Sequence, residues 1–107
     1  MKVYNKLVRN KIPQVIEAEG KKYDIKTASK EEHLELLEKK LHEEVAEFIE
    51  DKDTKGKNLE ELADVMEVLF GLAKNLGYSE EELMKKRDEK KKERGGFDEG
   101  IVLERVY

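Results

Sequence analysis

Residues 31–75, EEHLELLEKKLHEEVAEFIEDKDTKGKNLEELADVMEVLFGLAKN, decide the fold of this chain. Apolar residues recur at spacings of three and four on both sides of a short polar segment, 53–57, and this is the pattern of amphipathic helices. We predict one long helix from 30 to about 52 and a second from about 59 to 76. Because a short connection places consecutive helices side by side in opposite directions, the pair should be antiparallel.

Capping signals mark where the long helices begin. In each, a short polar residue is followed three positions later by glutamate, as in a capping box. The three signals are Ser29 with Glu32, Asn58 with Glu61, and Ser79 with Glu82. The last of them opens a third long helix that runs to about 94, where Gly95-Gly96 must end it.

Shorter elements are expected near both ends of the chain. Pro13 suits the first turn of a short helix, 12–19, which Gly20 would end. KYDIKT (22–27) alternates polar and apolar residues, and GIVLERVY (100–107) resembles a closing strand that could pair with it. The sequence therefore predicts one mainly α domain over residues 1–107, with short terminal β segments.

The apolar residues of the two long helices form stripes that we expect to pack against each other. The first stripe consists of Leu34, Leu37, Leu41, Val45 and Phe48, and the second of Leu62, Val65, Met66, Leu69, Leu72, Ala73 and Leu76. Val68, Phe70 and Ile49 lie outside these stripes and would leave apolar surface uncovered. We therefore expect a homo-oligomer, a dimer at least.

Composition excludes several classes of protein. The chain has no cysteine, which excludes disulfides and thiolate metal sites, and only two histidines. It has neither an apolar run long enough for a membrane span nor the apolar core of a signal peptide, so we expect a soluble cytoplasmic protein. Net charge is −4, yet residues 31–64 carry −8 and residues 85–94 carry +4. Acidic and basic segments together suit a site for a cation and a polyanion.

Acidic residues concentrate around the predicted turn. HEEVAEFIED (42–51) holds five carboxylates and no lysine or arginine. On a helical wheel, Glu44 and Glu47 lie on one flank of the first apolar stripe, and Glu61 and Asp64 lie on the same side of the second. In two antiparallel helices, flanks on the same side meet in one groove. Along the helix axis, the Glu44/Glu47 pair and the Glu61/Asp64 pair differ in position by about one turn. The four carboxylates can therefore converge.

Basic neighbours are missing at the positions where helical partners lie. Glu47 has four acids at i±3 and i±4, and Asp64 has three, with no base at either. Their repulsion would cost several tenths of a kcal/mol per pair, which a bound cation would relieve. A solvated acidic surface can show the same spacing, but the shared side and height favour a metal site. Ligands that are all oxygen indicate Mg²⁺ or Mn²⁺, and His33 and His42 should face solvent.

Several motifs resemble a known group of enzymes. EEVAE (43–47) followed by ELAD (61–64) resembles the E-x-x-E…E-x-x-D signature of the all-α nucleoside triphosphate pyrophosphohydrolases, the MazG-like superfamily. YNKLVRNKIP (4–13) and ERGGF (93–97) resemble a small house-cleaning branch, which is related to phosphoribosyl-ATP pyrophosphohydrolase. Where an aspartate is usual in that branch, this chain has Asn10.

This resemblance implies Mg²⁺-dependent cleavage of a nucleotide between its α- and β-phosphates, giving a monophosphate and pyrophosphate. It implies that Glu44, Glu47, Glu61 and Asp64 hold the metal and carry the catalysis. Glu43 is a candidate base outside the motif, although the wheel turns it away from the groove. The candidates for binding substrate phosphates are Lys6, Arg9, Lys11 and Arg94.

Other functions remain open from sequence alone. The substrate can be an ordinary or modified nucleoside triphosphate or a phosphoribosyl nucleotide. A non-catalytic helical module that binds nucleotides or proteins is a second hypothesis, although all four motif carboxylates are present. Nucleic-acid binding by residues 85–94 is a third, and the acidic net charge and scarcity of nearby aromatic residues disfavour it.

Overall fold

Four α-helices make up the computed structural model, which describes residues 1–107. They are α1 (Ile12–Ala18), α2 (Lys30–Asp51), α3 (Lys57–Asn75) and α4 (Glu80–Arg94). Every helix predicted from the sequence is present, with bounds within two residues of those expected. The mainly α fold is confirmed, and none of the helices is both long and apolar enough to cross a membrane.

The starts of α2 and α4 depend on the predicted serine caps. The hydroxyl oxygen of Ser29 accepts the backbone N–H of Glu32 at 3.2 Å, and Ser79 accepts that of Glu82 at 3.1 Å. These bonds satisfy N–H groups that have no partner within the first helical turn. The serine half of each predicted capping box is therefore confirmed, whereas the Glu32 carboxylate accepts from Lys26 and that of Glu82 accepts from the Ser79 hydroxyl.

The cap predicted for α3 is wrong. This helix begins at Lys57 with Gly56 at its N-cap, and Gly56 has a φ of +86°, which glycine adopts readily. Asn58 lies inside the first turn and donates its side-chain amide to the backbone carbonyl of Lys52 at 2.9 Å. The side chain therefore satisfies a carbonyl at the end of α2 instead of capping α3.

Hydrogen bonds at both ends of the α2–α3 pair define its orientation. Asn58, at the start of α3, bonds to Lys52 just past the end of α2. Asn75, at the end of α3, donates to the carbonyl of Lys30 at the start of α2, at 3.4 Å. The end of each helix thus lies beside the start of the other, and the pair is antiparallel as predicted.

Helix packing creates only a small apolar core. The buried apolar residues are Leu37 of α2 and Val68 and Ala73 of α3. A Cβ atom at Gly71 would lie 3.1 Å from Cδ2 of Leu37, so the two backbones approach closely at this glycine. α4 packs on α3 alone and buries no residue fully.

The apolar stripe of α3 is only partly covered, contrary to the helical wheel: Ala73 is buried, and Val65 and Leu72 are half-buried. Leu62, Met66, Leu69 and Leu76 are all exposed, whereas Val68, which the wheel left outside the core, is buried. The α2 stripe is placed better, since Leu34, Leu41 and Phe48 are half-buried beside Leu37. α3 therefore leaves part of its apolar stripe exposed to solvent.

The two predicted strands are not formed. Segments 22–27 and 100–107 have no regular secondary structure, and no backbone hydrogen bond joins them. A strand needs a neighbour that takes up its N–H and C=O groups, and neither segment has one. The apolar side chains of the second segment accordingly point outward, with Ile101 and Val102 each 83% exposed.

Replacing Leu37 by alanine should lower the free energy of unfolding by about 2–4 kcal/mol, because it leaves a void where α2 and α3 pack most closely. Urea denaturation followed by circular dichroism measures this change. Leu103→Ala is the matched control, since exposed Leu103 should cost less than about 0.5 kcal/mol. Equal losses at both positions would contradict the packing described here.

Candidate metal centre

Two glutamates are buried where α2 and α3 meet. Glu44 is 7% exposed and Glu61 is 8% exposed, and no other polar residue is buried. Glu44 follows Leu37 by seven residues, and Glu61 precedes Val68 by seven. Seven residues are close to two helical turns, so each acid shares a face with a residue of the core. The helix packing that buries the leucine and valine therefore buries the acids as well.

Other carboxylates gather around these two. Glu44, Glu61 and Asp64 each place one carboxylate oxygen within 4.8 Å of the others, in a cluster that bridges both helices. Glu43, Glu44 and Glu47 form a second cluster with the same spacing. Glu44 belongs to both clusters and is their centre.

All four acids predicted from the motif thus lie at one place in the structure. Glu61 and Asp64 meet Glu44 across the helix interface, while Glu47 joins Glu44 from the next turn of α2. Glu43, which the wheel turned away from the groove, joins only the cluster on α2. Its carboxylate is half-buried beside Glu44 and Glu47.

Burial and like charge act in the same direction on the two central acids. Burial, followed by the neighbouring Glu47 carboxyl, raises the pKa of Glu44, and Lys40 partly opposes this. Burial is also the largest cause of the raised pKa of Glu61, with Asp51 next and then Asp64 and Glu44. Both groups therefore take up protons more readily than an ordinary glutamate.

Basic side chains from outside residues 42–51 partly neutralise the acids. Nζ of Lys40 lies 3.3 Å from Oε1 of Glu44 and 3.5 Å from Oε1 of Glu43. Glu61, in contrast, forms no ion pair. The acidic stretch 42–51 therefore has more neighbouring positive charge than its sequence suggests. Of the two buried glutamates, however, Glu61 has no cationic partner.

Two of the four expected phosphate-binding residues also lie at the acids. Arg9 Nη2 contacts Oδ1 of Asp64 at 2.6 Å, and Lys6 Nζ lies 3.8 Å from Oε1 of Glu43. Lys11 and Arg94 form no ion pair, and Arg94 instead lines a small pocket with Gly95 and Gly96 beyond the end of α4. Lys6 and Arg9 of the N-terminal segment, rather than Arg94 of α4, thus join Lys40 as cations of this site.

One oxygen at the centre has no partner. Oε2 of Glu44 is buried and accepts no hydrogen bond. An ionised oxygen without a partner is costly away from water, and a second carboxylate beside it cannot donate. A hard divalent cation would satisfy it together with the oxygens of Glu61 and Asp64, so the donors present fit such an ion.

A comparison with protein families matches residues 27–107 to the MazG-like family, about three quarters of the chain. The chain belongs to the MazG-like family. No curated protein and no solved structure matches it.

Membership indicates nucleotide pyrophosphohydrolase-type activity at the level of the family, whose members typically depend on a divalent metal. The matched part of this MazG-like chain contains the whole acidic cluster. The N-terminal motif with Lys6 and Arg9 lies before it, so the match gives no support to the roles of these two residues.

Sequence reasoning missed Asp51 as a member of the site. Its carboxyl group is close enough to Glu61 to raise the pKa of that residue, and its own partner is Lys57 at 3.5 Å. A signal was present, because Asp51 follows Glu44 by seven residues and therefore lies on the same face of α2. In this MazG-like protein the acidic centre thus extends to the last turn of α2.

Glu61→Gln should raise the melting temperature of the metal-free protein at neutral pH and abolish its increase on adding Mg²⁺. The substitution removes a buried charge that has no cationic partner, and with it one oxygen ligand for the ion. Because the pKa of Glu61 is raised in the folded state, wild-type stability falls as pH rises from the ordinary glutamate value toward the raised one. The difference in melting temperature between Glu61→Gln and wild type, both metal-free, should therefore disappear as the pH is lowered through this range.

Differential scanning fluorimetry in EDTA and in Mg²⁺, repeated across pH, measures both effects. Glu60→Gln is the control, since it makes the same change at an exposed neighbouring position. A metal-free Glu61→Gln protein that melts below wild type would contradict the electrostatic description of the cluster.

Proposed function

We propose that this protein hydrolyses a nucleoside triphosphate, ordinary or modified, between the α- and β-phosphates, with Mg²⁺ or Mn²⁺, to the monophosphate and pyrophosphate. The observation that carries the proposal is the unpartnered, buried Oε2 of Glu44 at the point where the two carboxylate clusters meet. Family membership supports the class of reaction.

Glu44, Glu47, Glu61 and Asp64 are the proposed metal ligands. All four are carboxylates, and the site has no nitrogen or sulfur donor, which favours Mg²⁺ or Mn²⁺ over zinc. When bound, such an ion neutralises charge on phosphate oxygens and makes water more acidic. Since the acids project from two packed helices, their positions are largely set before an ion binds.

A carboxylate must also accept the proton of the attacking water. Glu43 and Glu47 both lie beside Glu44, but the Glu43 carboxylate is engaged by Lys6 and Lys40. Glu47 forms no ion pair, so one of its oxygens can bind the ion while the other accepts the proton. Of the two acids, Glu47 is therefore the better proton acceptor.

Cations of the N-terminal segment are the proposed contacts for the substrate phosphates. The guanidinium of Arg9 can bind two phosphate oxygens at once, and it already lies against Asp64 of the cluster. Lys6 is placed similarly at Glu43. Lys11 and Arg94 stay candidates for more distant phosphates, with support from charge alone.

Pyrophosphate release from a panel of ordinary and modified nucleoside triphosphates, with phosphoribosyl-ATP included, should occur in Mg²⁺ and stop in EDTA. Glu47→Gln and Asp64→Asn should each reduce the rate by more than about 100-fold, since even groups that merely orient metal ligands can be worth that much. A coupled assay for pyrophosphate gives the rates, and the panel identifies the preferred base and sugar.

Exposed acids on the same two helices provide the controls for this assay. Glu50→Gln and Glu67→Gln make the same kind of change and should leave the rate within about twofold of wild type. Release that survives EDTA or both motif substitutions would contradict the mechanism. If no nucleotide is cleaved while Mg²⁺ still raises the melting temperature, the protein is a binding module.

The proposed enzyme is a homo-oligomer, a dimer at least. The accessible surface is 10109 Å², whereas a compact 12.5 kDa monomer exposes about 6,200 Å². The radius of gyration is 17.8 Å, against about 13 Å for a compact domain of this length. The exposed stripe on α3 described above gives this excess surface an apolar face for association.

Sedimentation at micromolar concentration should give a mass of at least twice the 12.5 kDa of one chain. Placing glutamate at both Met66 and Leu69 should shift the protein toward monomer, because two buried charges would face each other across the interface. Lys74→Glu, at an exposed position of the same helix outside the apolar stripe, should leave the mass unchanged. A wild-type monomer at this concentration would refute the association.

A further inference from the structure

Lys40 is a lysine whose side chain is unusually covered. It lies one turn before Glu44 on α2, and its side chain is only 20% exposed. The ammonium group approaches Oε1 of Glu44 at 3.3 Å and Oε1 of Glu43 at 3.5 Å. Covering a lysine to this extent is unfavourable unless its charge is compensated, so the two carboxylates hold it in one place.

The position of Lys40 makes the two oxygens of Glu44 unequal. Oε1 faces the ammonium group, while Oε2 is buried with no hydrogen-bond partner. A cation that shared both oxygens would approach Oε1 from a direction close to a fixed positive charge. Repulsion from Lys40 therefore confines the cation to one oxygen, Oε2.

Binding through one oxygen matters because Mg²⁺ and Ca²⁺ use carboxylates differently. Mg²⁺ is small, demands a nearly octahedral arrangement and keeps several waters, so it suits one oxygen from each acid. Ca²⁺ takes six to eight oxygens at longer distances and often binds both oxygens of one carboxylate. A residue that blocks two-oxygen binding at the central acid disfavours the larger ion.

We infer that Lys40 is a positioning residue that makes this site select Mg²⁺ over Ca²⁺, by restricting Glu44 to one-oxygen ligation. The inference rests on the proposed function, because it assigns metal binding to the same carboxylates. Lys40 itself touches neither the metal nor the substrate.

Competition for bound Mn²⁺, followed by electron paramagnetic resonance on the nucleotide-free protein, tests this inference. Displacing Mn²⁺ with Mg²⁺ and with Ca²⁺ gives both dissociation constants on the same sample. In wild type, Mg²⁺ should bind more tightly than Ca²⁺, and in Lys40→Met the ratio of the two constants should shift toward Ca²⁺ by about tenfold or more. Removing a positive charge strengthens the binding of both divalent ions alike, so the ratio isolates the effect on ligation.

Lys39→Met is the matched control, because it removes an exposed lysine from the adjacent position and should leave the ratio unchanged. Lys40→Gln, which is uncharged and one bond shorter, serves as a second variant should Lys40→Met fail to fold. A ratio that stays at the wild-type value when Lys40 is replaced overturns the inference. Failure of the wild type to bind Mn²⁺ or Mg²⁺ at all would instead overturn the metal site of the proposed function.

Discussion

Burial of like charges between α2 and α3 is the constraint on which the rest of the structure depends. Glu44 and Glu61 lie in register with Leu37 and Val68, so the helices cannot pack without bringing the two acids together. Such an arrangement opposes folding, because each carboxylate loses its contact with water and is placed beside another negative charge. Natural sequences tolerate conflicts of this kind mainly where the local cost supports a function.

The small core explains why the chain presents so much apolar surface. α2 and α3 use part of their shared interface for acids, which leaves only three apolar residues buried. Association through the exposed stripe of α3 would add apolar burial without disturbing the acids, since the stripe and Glu61 lie on different faces of that helix. Stability and metal chemistry would then depend on different side chains of one helix.

Local signals in the sequence predicted local structure well. The caps at Ser29 and Ser79 join residues three positions apart, and the serine bond of each is present. The strand expected at 100–107 fails because a strand requires a distant partner, which no local pattern specifies. The helical wheel fails on α3 for a related reason: it finds the most apolar side of a helix, but not the neighbour toward which that side turns. The motif acids were nevertheless brought together, because Glu44 lies seven residues from Leu37 and Glu61 seven from Val68, so each shares a face with a residue of the core.

The helices fix the proposed metal ligands more firmly than the N-terminal segment fixes the proposed phosphate contacts. The acids project from paired helices, whereas Lys6 and Arg9 belong to an irregular segment that reaches the cluster through partly exposed ion pairs. An exposed ion pair contributes less than about 1 kcal/mol, while an arginine bound to phosphate through two charge-assisted hydrogen bonds gains more. Exchanging Asp64 for a phosphate is therefore favourable for Arg9. It also frees an Asp64 oxygen for a cation, so binding of the metal and binding of the polyanion should reinforce each other.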